Sequence, residues 1–477
     1  MTVIDGATNG VVATVTAGGN PQALCYNPQN NKVYCANLAG GVTVIDGATN
    51  GVVTTVTAGY CPYVLCYNPQ DNKVYCANQI SDNVTVIDGA TNGVVTTVTA
   101  GQNPAALCYN PQDSKVYCAN QRSDNVAVID GATNRAIVTV PVGYSPQALC
   151  YDLQDNKVYC ANSGSDNVTV IDGATNGAVA TVTAGSNLWA LCYNPQDNKV
   201  YCANRLSDDV TVIDCATNEV VATVPAGSYA WALCHSPQND RVYCANSHSA
   251  NVTVIDGATN EVVATVPAGM YVRSLCYNPQ RNRVYCGSNW DYTVTVIDCA
   301  TNEVVATVAA GSAPWALCYN PQNNKVYCAN AGRGPRWDTT VTVIDGMSDR
   351  VLRTISVGDG PIDFCHNPVQ NRVYVANCGA SSFSVLRDSG GGIEESFEPQ
   401  AASQRPAPTI IRGVLLLPDA VGGERLAAGA RLLDISGRKV LDLKPGANDV
   451  RALSPGVYFV REAQAQAQTI RKIVVTR

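Results

Sequence analysis

The chain repeats one sequence unit along most of its length, and this repetition constrains the fold more than any other feature. An Asp that ends a Val-Ile-Asp run marks each copy, and consecutive marks are 41, then 42 six times, then 47 residues apart. The marks are Asp5, Asp46, Asp88, Asp130, Asp172, Asp214, Asp256, Asp298 and Asp345. A fixed period of about 42 residues predicts an array of small structural units rather than one ordinary globular core.

Each copy divides into four short β-prone runs, which read LCY, KVYC, VTVID and VVATV in typical copies. The first two runs are separated by Asn-Pro-Gln, and the last two by Asp-Gly-Ala-Thr-Asn, both of which are typical of turns. Four antiparallel strands per unit of about 42 residues are the pattern of a propeller blade. The sequence therefore predicts an all-β fold, a multi-bladed β-propeller.

The Tyr-Cys-Ala-Asn segment at Tyr34–Asn37, which becomes Tyr-Val-Ala-Asn at Tyr374–Asn377, resembles the motif that names the YVTN-family β-propeller repeat. The resemblance covers residues 1–388. That family is associated with bacterial and archaeal surface proteins. It does not imply one activity, because a fold alone does not determine function.

The copies predict about nine four-stranded blades. Eight are complete in sequence, and the ninth is expected to close when the N-terminal strand Val11–Thr16 pairs with the last strands of the array, which hides two sheet edges. Nine exceeds the usual range of about four to eight blades. The alternatives are an eight-bladed ring with leftover strands, or a ring whose missing blades lie upstream.

After Asp388 the composition changes. Residues 389–411 are rich in Gly, Ser, Pro and Glu and are predicted to be a flexible linker. Residues 412–477 alternate apolar and polar residues between turn signals, which predicts a small β-sandwich. This segment resembles the C-terminal sorting domain of type IX secretion substrates through LDISGRKV, GAN, SPGVYFV and KIVV, although Leu-Pro-Asp at 417–419 replaces the usual Pro-Asn-Pro. The resemblance implies export across the outer membrane, contact with the sorting machinery through residues 412–477, and a cell-surface or secreted product.

Charge and hydropathy exclude some partners. The net charge of −7 argues against nucleic acid, whose binding needs clustered cations. No apolar run is long enough to form a transmembrane segment. The chain begins MTVIDGATNG inside a repeat and shows no signal peptide, so we expect that the N-terminus is incomplete.

Sixteen of the 21 cysteines form pairs ten residues apart, such as Cys25 and Cys35. A three-residue loop would set Cys25 opposite Val33, which makes the two cysteines diagonal neighbours about 7–8 Å apart. That distance exceeds the usual reach of a disulfide, about 4.4–6.8 Å between Cα atoms, so free buried thiols are favoured. A register shifted by one residue would place the two thiols on different faces, and another turn could still set them opposite each other. The spacing fits no common zinc motif.

Signals for catalysis are weak. The three histidines include His235 and His366, which occupy the Tyr26 position of other copies and are best explained as structural replacements. There is no haem-attachment motif, phosphate-binding loop or nucleophile elbow. The sequence thus predicts no catalytic residues, no metal site and no cofactor.

The copies differ mainly in two segments, one before LCY and one after Tyr-Cys-Ala-Asn, and propeller geometry places both on one face of the ring. Loops on a rigid scaffold carry function, and Trp, Tyr and Arg anchor interfaces. All five Trp lie in these segments, in blades five to eight. The candidate ligand-binding residues are Trp189, Trp231, Tyr271, Arg273, Trp290, Tyr292, Trp315, Arg336 and Trp337.

These observations favour a secreted or surface-anchored, non-catalytic propeller that recognises an extracellular protein or a carbohydrate. The alternatives are an extracellular enzyme with its active site at the channel mouth and a structural surface-layer component. Aromatic residues that only plug the channel or pack between blades would also explain the pattern, because Trp is usually largely buried.

Overall fold

The computed structural model describes residues 11–333 and 336–387, together with nine short strands between residues 409 and 475. The chain forms two compact units, residues 1–394 and residues 395–477, and most contacts between residues lie within one unit. All regular structure in the described residues is β-strand, so the predicted all-β class is confirmed.

The repeats form four-stranded antiparallel sheets, which we number as blades 1 to 9 in the order of their first strands. The first strands are β2 (Gly19–Asn27), β6 (Pro62–Asn68), β10 (Pro104–Asn110), β14 (Pro146–Asp152), β18 (Leu188–Asn194), β22 (Ala230–Ser236), β26 (Val272–Asn278), β30 (Pro314–Asn320) and β34 (Pro361–Asn367). The second strands are β3 (Lys32–Ala39), β7 (Lys73–Asn78), β11 (Lys115–Asn120), β15 (Lys157–Asn162), β19 (Lys199–Asn204), β23 (Arg241–Asn246), β27 (Arg283–Ser288), β31 (Lys325–Arg333) and β35 (Arg372–Asn377).

The third strands are β4 (Gly41–Asp46), β8 (Asn83–Asp88), β12 (Asn125–Asp130), β16 (Asn167–Asp172), β20 (Asp209–Asp214), β24 (Asn251–Asp256), β28 (Thr293–Asp298), β32 (Arg336–Asp345) and β36 (Ser382–Arg387). The fourth strands of blades 1 to 8 are β5 (Val52–Val56), β9 (Val94–Thr99), β13 (Arg135–Pro141), β17 (Ala178–Thr183), β21 (Glu219–Pro225), β25 (Val262–Pro267), β29 (Val304–Ala309) and β33 (Arg350–Ser356). Blade 9 takes its fourth strand from the other end of the chain, β1 (Val11–Thr16).

Ring closure occurs at blade 9, where β1 pairs antiparallel with β36. Eight blades are therefore continuous in sequence, and the ninth sheet joins the two ends of the array as predicted. The Val-Ile-Asp run that ends at Asp5 lies outside the described residues. Because β1 covers the exposed edge of β36, the pairing removes a site where another chain could add a strand.

The apolar core lies between neighbouring blades and repeats around the ring. Tyr34 and Val44 of blade 1 pack against Val74 and Cys76 of blade 2, and all four are fully buried. The Tyr34 hydroxyl donates to Asn92 Oδ1 at 2.9 Å, which satisfies a buried polar group with the turn of the next blade. The repeated Tyr and Asn are therefore explained by interblade packing.

The two ends of each blade differ as predicted. At the uniform end, Asp46 Oδ1 accepts from the Thr49 backbone N–H at 2.7 Å, and the Gly47 N–H donates to the Asn31 carbonyl at 2.7 Å. At the other end, the Gln79 N–H donates to the Cys61 carbonyl at 2.9 Å. This last bond joins the two variable segments of one blade. The prediction that they share a face is confirmed, and we call this face the variable face.

The cysteine register differs from the predicted one. A four-residue turn pairs Asn27 with Lys32, so Cys25 lies opposite Tyr34 and Leu24 lies opposite Cys35. The two thiols therefore point to opposite faces of the sheet, which was the alternative with the register shifted by one residue. All 21 cysteines lie in the described residues, and all are free.

The C-terminal unit is also built from strands. They are β37 (Thr409–Ile411), β38 (Val414–Leu417), β39 (Ala420–Val421), β40 (Glu424–Arg425), β41 (Arg431–Leu433), β42 (Lys439–Asp442), β43 (Gly446–Asp449), β44 (Gly456–Ala463) and β45 (Gln468–Val475). A five-stranded sheet has the order β37-β45-β44-β41-β42, while β38 pairs with β43 and β39 pairs with β40. β37 falls inside the range predicted as linker, so regular structure begins before residue 412. Residues 434–438 of the sorting-domain motif lie outside the described residues.

Candidate functional site

A β-bulge in every first strand shapes the channel mouth on the variable face. In blade 5, Leu188 pairs with Asn204 and Ala190 pairs with Ala203, which leaves Trp189 as the extra residue. The same shift recurs in all nine described first strands. We call the nine extra residues the bulge ring: Gln22, Tyr63, Ala105, Gln147, Trp189, Trp231, Arg273, Trp315 and Ile362. Bulges commonly redirect side chains next to functional sites.

Aromatic rings and guanidinium groups alternate along one side of the bulge ring. The rings of Trp189 and Trp231 have centroids 4.6 Å apart. The Arg205 guanidinium carbon lies 4.8 Å from the Trp189 centroid, 4.9 Å from that of Trp231 and 4.3 Å from that of Tyr229. Arg205 also donates to the Tyr229 hydroxyl at 3.1 Å. Cation–π contacts at this range are favourable and hold the guanidinium plane in position.

Arg273 continues this arrangement into the next blades. Its guanidinium carbon lies 4.6 Å from the Trp231 centroid, 5.5 Å from that of Trp315 and 5.9 Å from that of Tyr271. Three blades therefore meet at one side chain. An Arg that is stacked in this way presents its donors in a fixed geometry.

A second row of rings lies beside the first. The His248 ring is 3.9 Å from the Tyr229 centroid and 5.0 Å from that of Tyr271, and Tyr271 lies 5.7 Å from Trp290. We call the two rows together the aromatic arc: Trp189, Arg205, Tyr229, Trp231, His248, Tyr271, Arg273, Trp290 and Trp315.

The arc borders a cavity of about 820 Å³, which we call the mouth cavity. This volume is in the range of sites that bind small molecules, about 300–1,000 Å³. Its lining residues are Gln22, Tyr63, Val64, Ala105, Tyr271, Arg273, Asn289, Trp290, Trp315, Ala331, Gly332, Trp337, Ile362, Asp363 and Cys378. Side chains from blades far apart in sequence thus line one concave surface.

Trp337 belongs to the extended hairpin of blade 8 and lies against the loops of blade 9. A Cβ added at Gly360 would lie 2.7 Å from Trp337 Cε3, and one added at Gly379 would lie 3.0 Å from Cδ1. Gly360 also has a φ of +62°, which favours glycine. These two glycines make room for the indole ring, and Trp337 as a residue stays 47% exposed.

Backbone geometry marks the tyrosines of the arc as unusual. Tyr229 and Tyr271 have φ values of +66° and +55°, in the left-handed region that bulky residues rarely adopt. The same loop position holds the smaller residues Asn20, Asn103 and Asn187 in three other blades and Cys61, Ser145 and Ala313 in three more. Asn tolerates this conformation best, and bulky Tyr is the least expected residue there. Strained residues of this kind cluster at functional sites. The strain therefore indicates that the aromatic rings serve a purpose other than chain reversal.

Asp363 is the one carboxyl among the described lining residues. Its Oδ2 accepts from the Leu24 backbone N–H at 2.8 Å, which joins blade 9 to blade 1. Burial raises the pKa of Asp363 to about 6, against the hydrogen bonds from the Leu24 and Phe364 N–H groups. Most other blades have Ala at this position, as at Ala23 and Ala106.

The structure brings five of the nine predicted site residues to the mouth cavity: Tyr271, Arg273, Trp290, Trp315 and Trp337. Trp290 and Trp315 are 54% and 43% exposed, so they are not simply packed between blades. Trp189 and Trp231 are half-buried in the arc. Tyr292 is exposed on the same face, and the side chain of Arg336 lies outside the described residues.

Sequence reasoning missed Arg205 and Asp363. Arg205 follows a Tyr-Cys-Ala-Asn segment and was therefore inside a variable segment, but one Arg among varied residues carries no signal without the ring contacts. Asp363 could have been found by aligning the copies, because it places a carboxyl where other copies have Ala.

Among the residues that the structure describes, no group of three or more His, Cys, Asp or Glu is arranged to hold a metal ion. Cys378 lines the cavity and accepts a hydrogen bond from Gln22 Nε2 at 3.1 Å, and burial raises the pKa of its thiol. A thiol with a raised pKa is a poor nucleophile at neutral pH. No helix among the described residues could cross a lipid bilayer.

Comparison with known proteins identifies a matching protein family. A family model described as YNCE-like beta-propeller matches residues 1–269. Among solved structures, Kuenenia stuttgartiensis hydrazine synthase is similar with 20% sequence identity and a TM-score of 0.44, covering 60% of this chain and 95% of that one. No curated protein matches the chain.

Proposed function

The chain belongs to the YNCE-like β-propeller family, and we propose that it is a non-catalytic recognition protein whose mouth cavity binds an extracellular ligand. The family supplies a rigid ring but not an activity, because one fold hosts many functions. The proposal therefore depends on the residues at the mouth of the channel.

One observation supports the proposal most directly: exposed aromatic rings and the stacked Arg273 guanidinium line one concave cavity. Trp290, Trp315 and Trp337 keep between 43% and 54% of their surface exposed although they lie beside a cavity. Large aromatic rings at this exposure leave apolar area in water, which favours a partner that covers it. Trp, Tyr and Arg are also the residues that dominate binding energies at interfaces.

A second candidate function, an enzyme at the channel mouth, is favoured by one feature, the raised pKa of Asp363. A carboxyl with a pKa of about 6 suits general acid–base chemistry. Acid–base catalysis commonly uses two titratable groups with different roles, and none of the other described lining residues is a carboxylic acid or a histidine. Recognition is the better supported of the two.

The proposal also includes export of the protein from the cell. The C-terminal motifs resemble a type IX sorting domain, and on this basis we propose that residues 412–477 direct the propeller to the cell surface or the medium. A strain that carries the chain without residues 412–477 should accumulate folded propeller inside the cell envelope. Surface labelling of intact cells tests this, and equal labelling with and without the segment would contradict it.

The binding test uses arrays of defined glycans and of extracellular proteins. The wild-type chain should bind at least one arrayed ligand, and Trp315→Ala should weaken that binding by about 2 kcal/mol, as for a well-packed interface aromatic. Tyr144→Ala is a matched control, because Tyr144 is an exposed aromatic residue on the same face and does not line the cavity. Binding that Tyr144→Ala weakens and Trp315→Ala leaves intact would contradict the proposed site.

A further inference from the structure

We infer that the ligand of the mouth cavity is a saccharide, with its ring faces on Trp290 and Trp315 and a hydroxyl donating to the Asp363 carboxylate. This inference rests on the proposed function and narrows it from an extracellular ligand to one chemical class. It also assigns Asp363, which no sequence motif singled out, to the binding surface.

Shape is the first argument. The mouth cavity is concave and holds about 820 Å³, which lies within the range of about 300–1,000 Å³ for sites that bind small molecules. A cavity of this volume suits a short chain of sugar rings. A folded protein could reach only the rim of such a cavity, and the residues on its floor would then stay in water.

The chemistry of the lining is the second argument. Exposed indole faces lie beside polar groups of several kinds, namely the Gln22 and Asn289 amides, the Arg273 guanidinium and the Asp363 carboxyl. A sugar ring has apolar C–H faces and a rim of hydroxyls that both donate and accept. A saccharide can therefore cover the indole faces and exchange hydrogen bonds with the polar lining, whereas a wholly apolar ligand would displace water from that lining and offer no hydrogen bond in return, which costs binding free energy.

Asp363 itself is the third argument. Asp363 occupies the first-strand position that holds Ala in most other blades. Burial raises the pKa of its carboxyl, so the ionised form is unfavourable at this position. The other blade junctions form without a carboxyl at this position, so ring closure does not require one. Since Leu24 N–H uses Oδ2, the carboxylate retains further acceptor capacity, and a ligand hydroxyl is a suitable donor.

The experiment uses the five tryptophans as reporters, because all of them lie on the variable face. Intrinsic fluorescence of the full chain is titrated with short linear oligosaccharides, both neutral and uronic acid-containing, and with short peptides of mixed sequence as the competing class. The inference predicts a saturable change with at least one oligosaccharide and none with the peptides.

Two substitutions separate binding from scaffold roles. Asp363→Asn keeps an acceptor for the Leu24 N–H and should weaken saccharide binding by about tenfold, as expected for the loss of a charge-assisted hydrogen bond, without lowering the melting temperature. Asp363→Ala introduces the residue that most other blades have at this position and should weaken binding equally, because the carboxylate acceptor is lost. Unchanged saccharide affinity in Asp363→Asn would overturn the role of Asp363.

The failures of the two proposals are distinguishable. If a peptide or protein saturates the fluorescence change, Trp315→Ala weakens it, and no saccharide does so, the mouth is a recognition site and the saccharide inference is wrong. If neither class of ligand binds in a way that depends on Trp315, both the saccharide inference and the proposed function are wrong.

Discussion

The Arg273 guanidinium lies 4.6 Å from the ring centroid of Trp231, although the two residues occupy the same bulge position in neighbouring blades. The bulge aims both side chains at the channel mouth, so equivalent positions of adjacent copies become contact partners. Different residues at this one repeat position therefore form a continuous surface. A nearly uniform array can in this way contain a single binding site.

Half-buried and exposed tryptophans should respond differently to truncation. Trp231 contacts Trp189 and both arginines of the arc, so Trp231→Ala should lower the free energy of unfolding by about 3 kcal/mol. Trp290 is 54% exposed, and Trp290→Ala should lower it by less than about 1 kcal/mol. Urea denaturation of the two variants measures the difference. Equal losses would mean that the whole arc is packed as scaffold.

Tyr292→Asp should stabilise the propeller by about 1 kcal/mol. Tyr292 has a φ of +57°, a conformation that Asp tolerates better than Tyr. At the equivalent position Asp82 and Asp208 accept from backbone N–H groups of the next blade at 2.9 Å. The new Asp should accept in the same way from the Ala313 N–H.

Tyr292→Ala is the matched control for this prediction, because Ala250 occupies the same position in blade 6 with a φ of +56°. The difference in melting temperature between the Asp and Ala variants isolates the new hydrogen bond. An Asp variant that melts below the Ala variant would show that the blade 7 loop does not share the geometry of its neighbours.

Much of the fold could be predicted from the copies alone. The period of about 42 residues, the turn residues and the strand runs predicted the blades, and the partial copies at each end predicted that Val11–Thr16 closes the ring. The placement of all five Trp on one face also followed from comparing copies. These features are local or repeated, so the sequence signal is reinforced at every copy.

The details of the site could not be predicted in the same way. The bulge before each Leu-Cys leaves no distinctive residue type, since Ala105 and Trp189 both occupy it. The Cys25 register depended on a turn of four residues where three were expected. The contacts of Arg205 join blade 5 to blade 6 across the variable face, which a pattern along the chain does not encode.

Asp363 should make the stability of the propeller depend on pH. Burial raises its pKa from the ordinary value of 3.8 to about 6, so the folded state binds more protons than the unfolded state between these values. The stabilisation from protonated Asp363 is therefore complete below about pH 4 and is lost as the pH rises through about 6. At 1.36 kcal/mol per pH unit the loss is about 3 kcal/mol.

Asp363→Asn removes this dependence, so the variant should gain stability relative to wild type as the pH rises from about 4 to 7. The thiols near the carboxyl, Cys25 and Cys365, do not titrate in this range because burial raises their pKa. Urea denaturation of both proteins across the range measures the change. A constant difference between the two proteins would mean that Asp363 keeps an ordinary pKa.

The cysteines should be present as thiols. All 21 are free, and burial raises the pKa of Cys25 and Cys108 to about 12. Alkylation of the denatured, unreduced protein should therefore label close to 21 thiols per chain, whereas the native protein should react slowly because its thiolate fraction is small. Labelling of fewer than half of the thiols after denaturation would contradict the free state.

The central claim is that the mouth cavity is where this propeller meets its ligand, and hydroxyl-radical footprinting tests it most directly. The full chain is oxidised with and without a saturating ligand from the array screen, and modification is located by mass spectrometry. The account predicts protection of Trp290, Trp315 and Trp337 and unchanged modification of Tyr60 and Tyr144, which are exposed on the variable face but do not line the cavity. Protection of Tyr60 or Tyr144 with no change at the three tryptophans would contradict it.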